Sequence, residues 1–163
     1  MLIRNMRRTD WETVSAIYAK GIATGMATFE TASPSYEAWN KNHLKQCRLV
    51  AESDGKVWGW ASLSPVSGRC VYGGVAELSV YVDPNKSRQG IGQLLVKQLI
   101  KESESAGFWT LQSGIFPENT ASIALHEKLG FRYLGKRERI AKYNGVWKDN
   151  LVYERRSKIV GLN

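Results

Sequence analysis

Residues 76–100 read AELSVYVDPNKSRQGIGQLLVKQLI. An alternating β-forming run ends at Asp83 and Pro84, a short polar loop follows, and a helix emerges with Ile91, Leu94, Leu95 and Leu99 on one stripe. Glycines at 90 and 92 fall where the backbone turns from strand to helix, and their missing side chains let a ligand approach the main chain. The first turn of a helix carries unpaired N–H groups and the positive end of the helix dipole, so it attracts phosphate. Arg88 and Lys86 add charge. The motif is neither Gly-x-Gly-x-x-Gly nor a Walker loop, because no Lys-Ser/Thr follows for magnesium. Taken alone, a glycine turn that merely enters a helix accounts for the stretch as well as a phosphate loop does.

Outward from this segment the chain alternates strands and helices. Residues 2–5 (LIRN) read as a strand, and Thr9 or Asp10 as the N-cap of a helix with Trp11, Val14, Ile17 and Tyr18 on one face. A second helix is expected to open at Ser33 with Pro34 in its first turn and to carry Tyr36, Trp39, Leu44 and Cys47. RLVAESDGKVWGWASLS is a hairpin turning at Asp54 and Gly55, and the loop PVSGRCVYGG leads from it into the 76–82 strand. Gly107 stops the central helix, FWTLQSGIF forms a strand, and a helix runs from about Asn119 to Leu129 before Gly130. Two final strands turn at Asn144 and Gly145. The order β-α-α-β-β-β-α-β-α-β-β predicts an α/β (α+β) fold, a mixed sheet covered by helices, in one domain over residues 1–163.

Hydrophobic residues at 43% and charged residues at 23% fit a globular chain rather than a disordered one. No apolar run approaches the roughly 18 residues of a membrane span, and the N-terminus lacks a signal-peptide pattern, so no membrane partner and a cytoplasmic location are expected. Cys47 and Cys70 form no Cys-x-x-Cys pair and have no histidine at ligand spacing, so they read as reduced thiols, and no metal site is expected. The net charge of +8 favours an anionic partner: nucleic acid, a phosphorylated cofactor or an acidic surface. A nucleic-acid-binding module would interleave aromatic residues with Lys and Arg on one exposed face. Here Trp11, Trp39, Trp58, Trp60 and Trp109 lie in core-like patterns, and no nucleic-acid partner is expected.

SRQGIG at 87–92 fits the loop pattern Gln/Arg-x-x-Gly-x-Gly/Ala except for Ser87 in the first place, and NTASIALHEKLGF at 119–131 supplies a second element. Through these motifs the chain resembles the GNAT superfamily of acetyl-coenzyme A dependent N-acetyltransferases. ATFET at 27–31, AELSVYV at 76–82, ALHEKLGF at 124–131 and YNGVWKDNLVYE at 143–154 make it most similar to the phosphinothricin acetyltransferases and related L-amino acid N-acetyltransferases. The resemblance implies a mostly antiparallel central sheet of about six to seven strands flanked by about four helices. It also implies acetyl-CoA as co-substrate, and as acceptor the α-amine of a small amino acid or analogue such as phosphinothricin, methionine sulfoximine or methionine sulfone. A protein N-terminus is the alternative acceptor. A polyamine site would be lined with acids, and 15 Asp plus Glu against 23 Lys plus Arg disfavour it. A homodimer is implied as well. The family often has Trp-His-Asp where this chain has Trp147, Lys148 and Asp149, so no role for that histidine carries over.

By the same resemblance, Arg88, Gln89, Gly90, Ile91, Gly92 and Gln93 hold the coenzyme's phosphates. Val80, Tyr81 and Val82 bind its pantetheine arm through backbone atoms, and Asn119 contacts the coenzyme. Acetyl transfer to an amine also needs a base and a proton source for the leaving thiolate. Glu77 sits in an apolar strand whose alternation puts Glu77, Ser79 and Tyr81 on one face. A carboxylate there is expected to be partly desolvated, either salt-bridged or acting as a base, and the resemblance implies the general base. His126 stands where the superfamily carries a proton donor to the thiolate, which implies a catalytic or coenzyme-proximal role. For the acceptor, Arg69 is expected to meet a carboxylate, and Phe29 and Tyr72 to form a wall beside Glu77, Leu78 and Ser79. His43 reads as structural.

Overall fold

The computed structural model describes residues 1–163. Its elements are β1 (Leu2–Asn5), α1 (Trp11–Ala23), α2 (Tyr36–Asn42), β2 (Leu49–Ser53), β3 (Lys56–Pro65), β4 (Val75–Val82), α3 (Ile91–Ser105), β5 (Thr110–Ile115), α4 (Thr120–Lys128), β6 (Arg132–Tyr143) and β7 (Val146–Arg156). The strands form one seven-stranded sheet in the order β1-β2-β3-β4-β5-β7-β6. Every neighbouring pair is antiparallel except β4 and β5. Both expected hairpin turns form, with positive φ at Asp54 (53°) and Gly55 (72°) and at Asn144 (49°) and Gly145 (78°), the geometry that two-residue turns between twisted strands require.

The period-two alternation of the strands sends side chains to two separate cores. On one face Ile91, Leu95, Val96 and Leu99 of α3 pack on Leu49, Ala61, Leu63, Ala76 and Leu78. On the other, Val14, Ile17 and Ile22 of α1 and Trp39 of α2 pack on Val50 and Trp60. Each of the Leu, Ile and Val side chains, fully buried, contributes about 1.5–3 kcal/mol. Leu94 departs from the expected stripe: it is 42% exposed, and Val96 takes the inward position.

Two helix starts also differ from the sequence expectation. α2 begins at Tyr36 because Ser35 is its cap, its Oγ accepting from the Ala38 N–H at 3.2 Å, while Ser33 pairs with Ser15. The helix ends at Asn42, so Leu44 and Cys47 lie beyond it. Asp10 stands at the N-cap of α1 without capping it, because its carboxylate is occupied by Arg4 at 2.8 and 2.9 Å and by the Arg7 N–H.

One irregularity positions the site. β4 and β5 pair only from Val75–Thr110 to Glu77–Gln112, although β4 runs on to Val82 and β5 to Ile115. Beyond Glu77 the two strands part.

Candidate active site

A cavity of about 790 Å³ opens where β4 and β5 separate. Residues 77–81 of β4 form one wall and residues 112–116 the other. Leu78 and Val80 point to the α3 face and Glu77, Ser79 and Tyr81 to the α1 face, so the cavity reaches both sides of the sheet. α4 and its N-cap contribute Asn119, Ser122 and His126, the 27–30 segment contributes Phe29 and Glu30, and the β6–β7 hairpin contributes Arg137, Ile140 and Asn150.

Glu77 lies at the fork, and its surroundings correct the expectation of a desolvated carboxylate. It is exposed, with Gln112 Nε2 at 3.5 Å as its hydrogen-bond partner and no salt bridge. The alternation of the strand chose the right face; the parting of β5 leaves that face open. Phe29 lines the cavity and meets Phe116 edge-on at 4.7 Å.

His126 is 2% exposed. Its Nδ1–H donates to the Ser122 carbonyl at 2.7 Å, which leaves Nε2 as a bare lone pair, buried and without a protein partner. Burial pulls the imidazole pKa below its ordinary value, outweighing the opposing bond to Ser122. The ring stands on the α4 wall of the cavity with its Nδ1 proton committed to a backbone carbonyl and its Nε2 buried.

The loop before α3 has the features of a phosphate cradle. No backbone carbonyl accepts from the amides of residues 88–93, and no side chain caps the helix at Gly90. Arg88 (φ 60°) and Gly90 (φ 77°) are both left-handed, which turns successive N–H groups outward. A Cβ built on Gly90 would meet nothing within 4 Å, so the space over the amides is open. Asp83 fixes the loop's entry by accepting from Lys20 Nζ at 2.7 Å and the Asn85 N–H at 2.9 Å. These residues fit a pyrophosphate, and the unpaired β4 edge beyond Glu77 fits an extended amide-bearing arm.

Asn119 caps α4, its Oδ1 accepting from the Ser122 N–H at 3.2 Å, while its Nδ2 donates to the Met26 carbonyl at 3.3 Å. Val80 and Tyr81 line the cavity; Val82 does not, and packs with the α3 core. Arg69 and Tyr72 lie outside the cavity altogether. Both are exposed, with the Arg69 guanidinium 5.7 Å from the Tyr72 ring.

Several lining residues were not read from the sequence. His43, expected to be structural, lines the cavity: Ser62 Oγ and its Nδ1 stand at 2.7 Å, and its ring stacks on Trp39 at 4.4 Å. Burial, with a smaller contribution from Arg48, holds it at about 4, so it is neutral at physiological pH. Gln112, Asn150 and Arg137 come from strands with no motif. Only their ladder positions bring them together.

A sheet parted at its one parallel pair, with free amides at the head of the helix after β4, can hold a phosphorylated ligand whose extended arm enters the fork. The sequence model of the Acetyltransferase (GNAT) family matches residues 6–131, most of the chain, and the chain belongs to that family. It is 32% identical over 159 residues to the phosphinothricin N-acetyltransferase of Alcaligenes faecalis, covering 94% of this chain and 81% of that protein. A crystal structure described as ribosomal-protein-alanine N-acetyltransferase from Brucella melitensis superimposes with a TM-score of 0.89 at 32% identity, covering 96% of this chain and all of that one. The phosphinothricin acetyltransferase of Sinorhizobium meliloti, solved in complex with AcCoA, superimposes with a TM-score of 0.90 at 27% identity, covering 99% of this chain and 91% of that one. The protein is an N-acetyltransferase of this family, with acetyl-CoA as co-substrate.

Proposed function

We propose that the enzyme transfers acetyl from acetyl-CoA to the α-amine of a small amino acid or analogue, of which phosphinothricin, methionine sulfoximine and methionine sulfone are the type. The observation that carries this is the position of Glu77 at the fork of β4 and β5, in one cavity with an apolar wall and a single cation. The amides of 88–93 hold the pyrophosphate, and the free edge of β4 holds the pantetheine arm, which brings the thioester into the fork. Glu77 takes the ammonium proton, directly or through water, and the neutral nitrogen attacks the thioester carbonyl; as the amide forms the nitrogen gives up a second proton, which passes through water to the sulfur as the C–S bond breaks and coenzyme A leaves as the thiol.

Acetylation of a protein N-terminal residue is the second reading, favoured by the Brucella melitensis neighbour. The likeness to phosphinothricin acetyltransferases supports the small acceptor.

The proposal includes a cytoplasmic enzyme that pairs with a second copy. Its two free thiols accord with a reducing compartment. β6 is a twelve-residue edge strand that leaves Tyr133, Leu134 and Ile140 exposed, a surface that a partner would cover.

Thiol release should be measured with acetyl-CoA and a panel of amines: phosphinothricin, methionine sulfoximine, methionine sulfone, proteinogenic amino acids and peptides with free N-termini. The proposal expects the highest kcat/KM with a free amino acid or analogue. A peptide preferred over all of them would transfer the assignment to the second reading.

A further inference from the structure

We propose that Arg137 binds the acceptor's anionic group and thereby restricts the enzyme to acids; this rests on the amino acid acceptor proposed above and identifies what the cavity recognises in it.

Residues paired across a ladder point to the same face of a sheet, as do residues two apart along one strand. Glu77 pairs with Gln112, Gly114 with Val152, and Asn150 with Arg137. Gln112 and Gly114 are two apart, as are Asn150 and Val152. Glu77 and Arg137 therefore stand at the two ends of one row on one face, and every member of that row lines the cavity. α1 and α2 cover this face over β2 to β4. Over β5, β7 and β6 its floor faces the cavity.

The row is polar at its ends and low in the middle. At Gly114 the absent side chain admits the Asn150 amide, whose Oδ1 lies 2.7 Å from where a Cβ would stand. Charge along the wall is sparse: Glu77 and Glu30 are the acids, His43 is neutral, and Arg137 is the one permanent cation. Neither acid is paired with it, and it enters no salt bridge elsewhere.

Arg137 is exposed and stands in regular register just ahead of a bulge in β6. Arg137 is opposite Asn150 and Ala141 opposite Lys148, so residues 138–140 of β6 stand against Asp149 alone. This bulge holds Arg139 at φ 44°, a left-handed value rare outside glycine, and the Arg139 N–H donates to Asp149 Oδ1 at 2.8 Å. Bulges redirect side chains beside functional sites. Here the two ends of the bulge place Arg137 on one side and Ile140 and Ala141 on the other, all on the cavity wall. A planar guanidinium with five donors matches a carboxylate or a phosphinate in a two-bond geometry. Arg69, the cation expected from the sequence, does not line this space.

The test compares three acceptors with wild type, Arg137→Ala and Arg137→Lys. Methionine sulfone has only the α-carboxylate as an anion, phosphinothricin adds a side-chain phosphinate, and the amide of methionine sulfone has neither. In Arg137→Ala the KM for methionine sulfone and phosphinothricin should rise about tenfold or more, the size expected for a lost charged hydrogen bond. KM for acetyl-CoA and the Tm should hold, kcat should change less than KM, and the preference for acid over amide should disappear. Arg137→Lys should recover part of the loss. Asp149→Ala, which frees the bulge, should raise the same KM values. A rise with phosphinothricin alone would assign Arg137 to the side-chain acid and still support an anion-binding role. Unchanged KM values with an intact acid preference in Arg137→Ala would overturn the assignment while leaving the amino acid acceptor standing. No turnover of any amino acid by wild type would overturn both.

Discussion

Glu77 and Gln112 form the last pair of the parallel ladder between β4 and β5, and their side chains meet at 3.5 Å before the strands separate. The base proposed for the reaction thus sits at the only parallel junction of the sheet, where the thioester would enter. Glu77→Gln preserves the shape and the contact with Gln112 but removes the proton acceptor. kcat should fall about 100-fold or more, the usual range for loss of a general base. Acetyl-CoA affinity, measured by calorimetry, should remain within about twofold, because the amides of 88–93 that bind phosphate are untouched. Wild-type turnover in this variant would remove Glu77 from the mechanism.

Gly90 tests the phosphate cradle separately from the chemistry. A side chain there meets no protein atom within 4 Å, so it occupies the space that a ligand would need, and a β-branched residue resists φ 77°. Gly90→Val should weaken acetyl-CoA binding by about tenfold or more, from roughly 1–2 kcal/mol of left-handed strain plus lost approach. Calorimetric titration reads it directly, and unchanged affinity would discredit the cradle.

The chain has two histidines, and burial depresses the pKa of both. A histidine whose folded pKa lies below its unfolded value binds fewer protons in the native state. Native stability is therefore full above the unfolded pKa of about 6.5 and falls as pH drops towards about 4, the folded value for His43. Urea midpoints taken between pH 7 and pH 4.5 should decline. His43→Gln should flatten that slope, and an equal slope in the variant would contradict the burial argument.

Gly74 supplies the carbonyl that accepts from both the Trp109 and Thr110 N–H groups, at 2.9 and 3.1 Å, just ahead of the β4–β5 junction. A methyl at this position would overlap the Trp109 ring. Gly74→Ala should cost about 1–3 kcal/mol through overpacking, seen as a lower Tm. A Tm equal to wild type would mean that Trp109 has room to move.

The order of strands and helices was legible because each boundary has a local chemical cause: Asp54-Gly55 and Asn144-Gly145 at hairpins, Asp83-Pro84 at the end of β4, glycines before α3. The phosphate loop was legible for the same reason, since all its parts are contiguous. The acceptor side was not. Arg137, Gln112 and Asn150 converge through ladder register and a bulge, and neither leaves a mark in a single strand's pattern. Arg69, expected from family likeness to meet the substrate's carboxylate, is exposed and does not line the cavity. The strand pattern identified the face on which Glu77 lies, but not that β5 diverges there and leaves it exposed.

A crystal structure with coenzyme A and a non-reactive acceptor analogue measures the central claim most directly. The pyrophosphate is predicted on the amides of residues 88–93, the thiol between β4 and β5, and the acceptor nitrogen within hydrogen-bond reach of Glu77, directly or through one water. A coenzyme lying elsewhere, or an acceptor nitrogen remote from Glu77, would contradict the account.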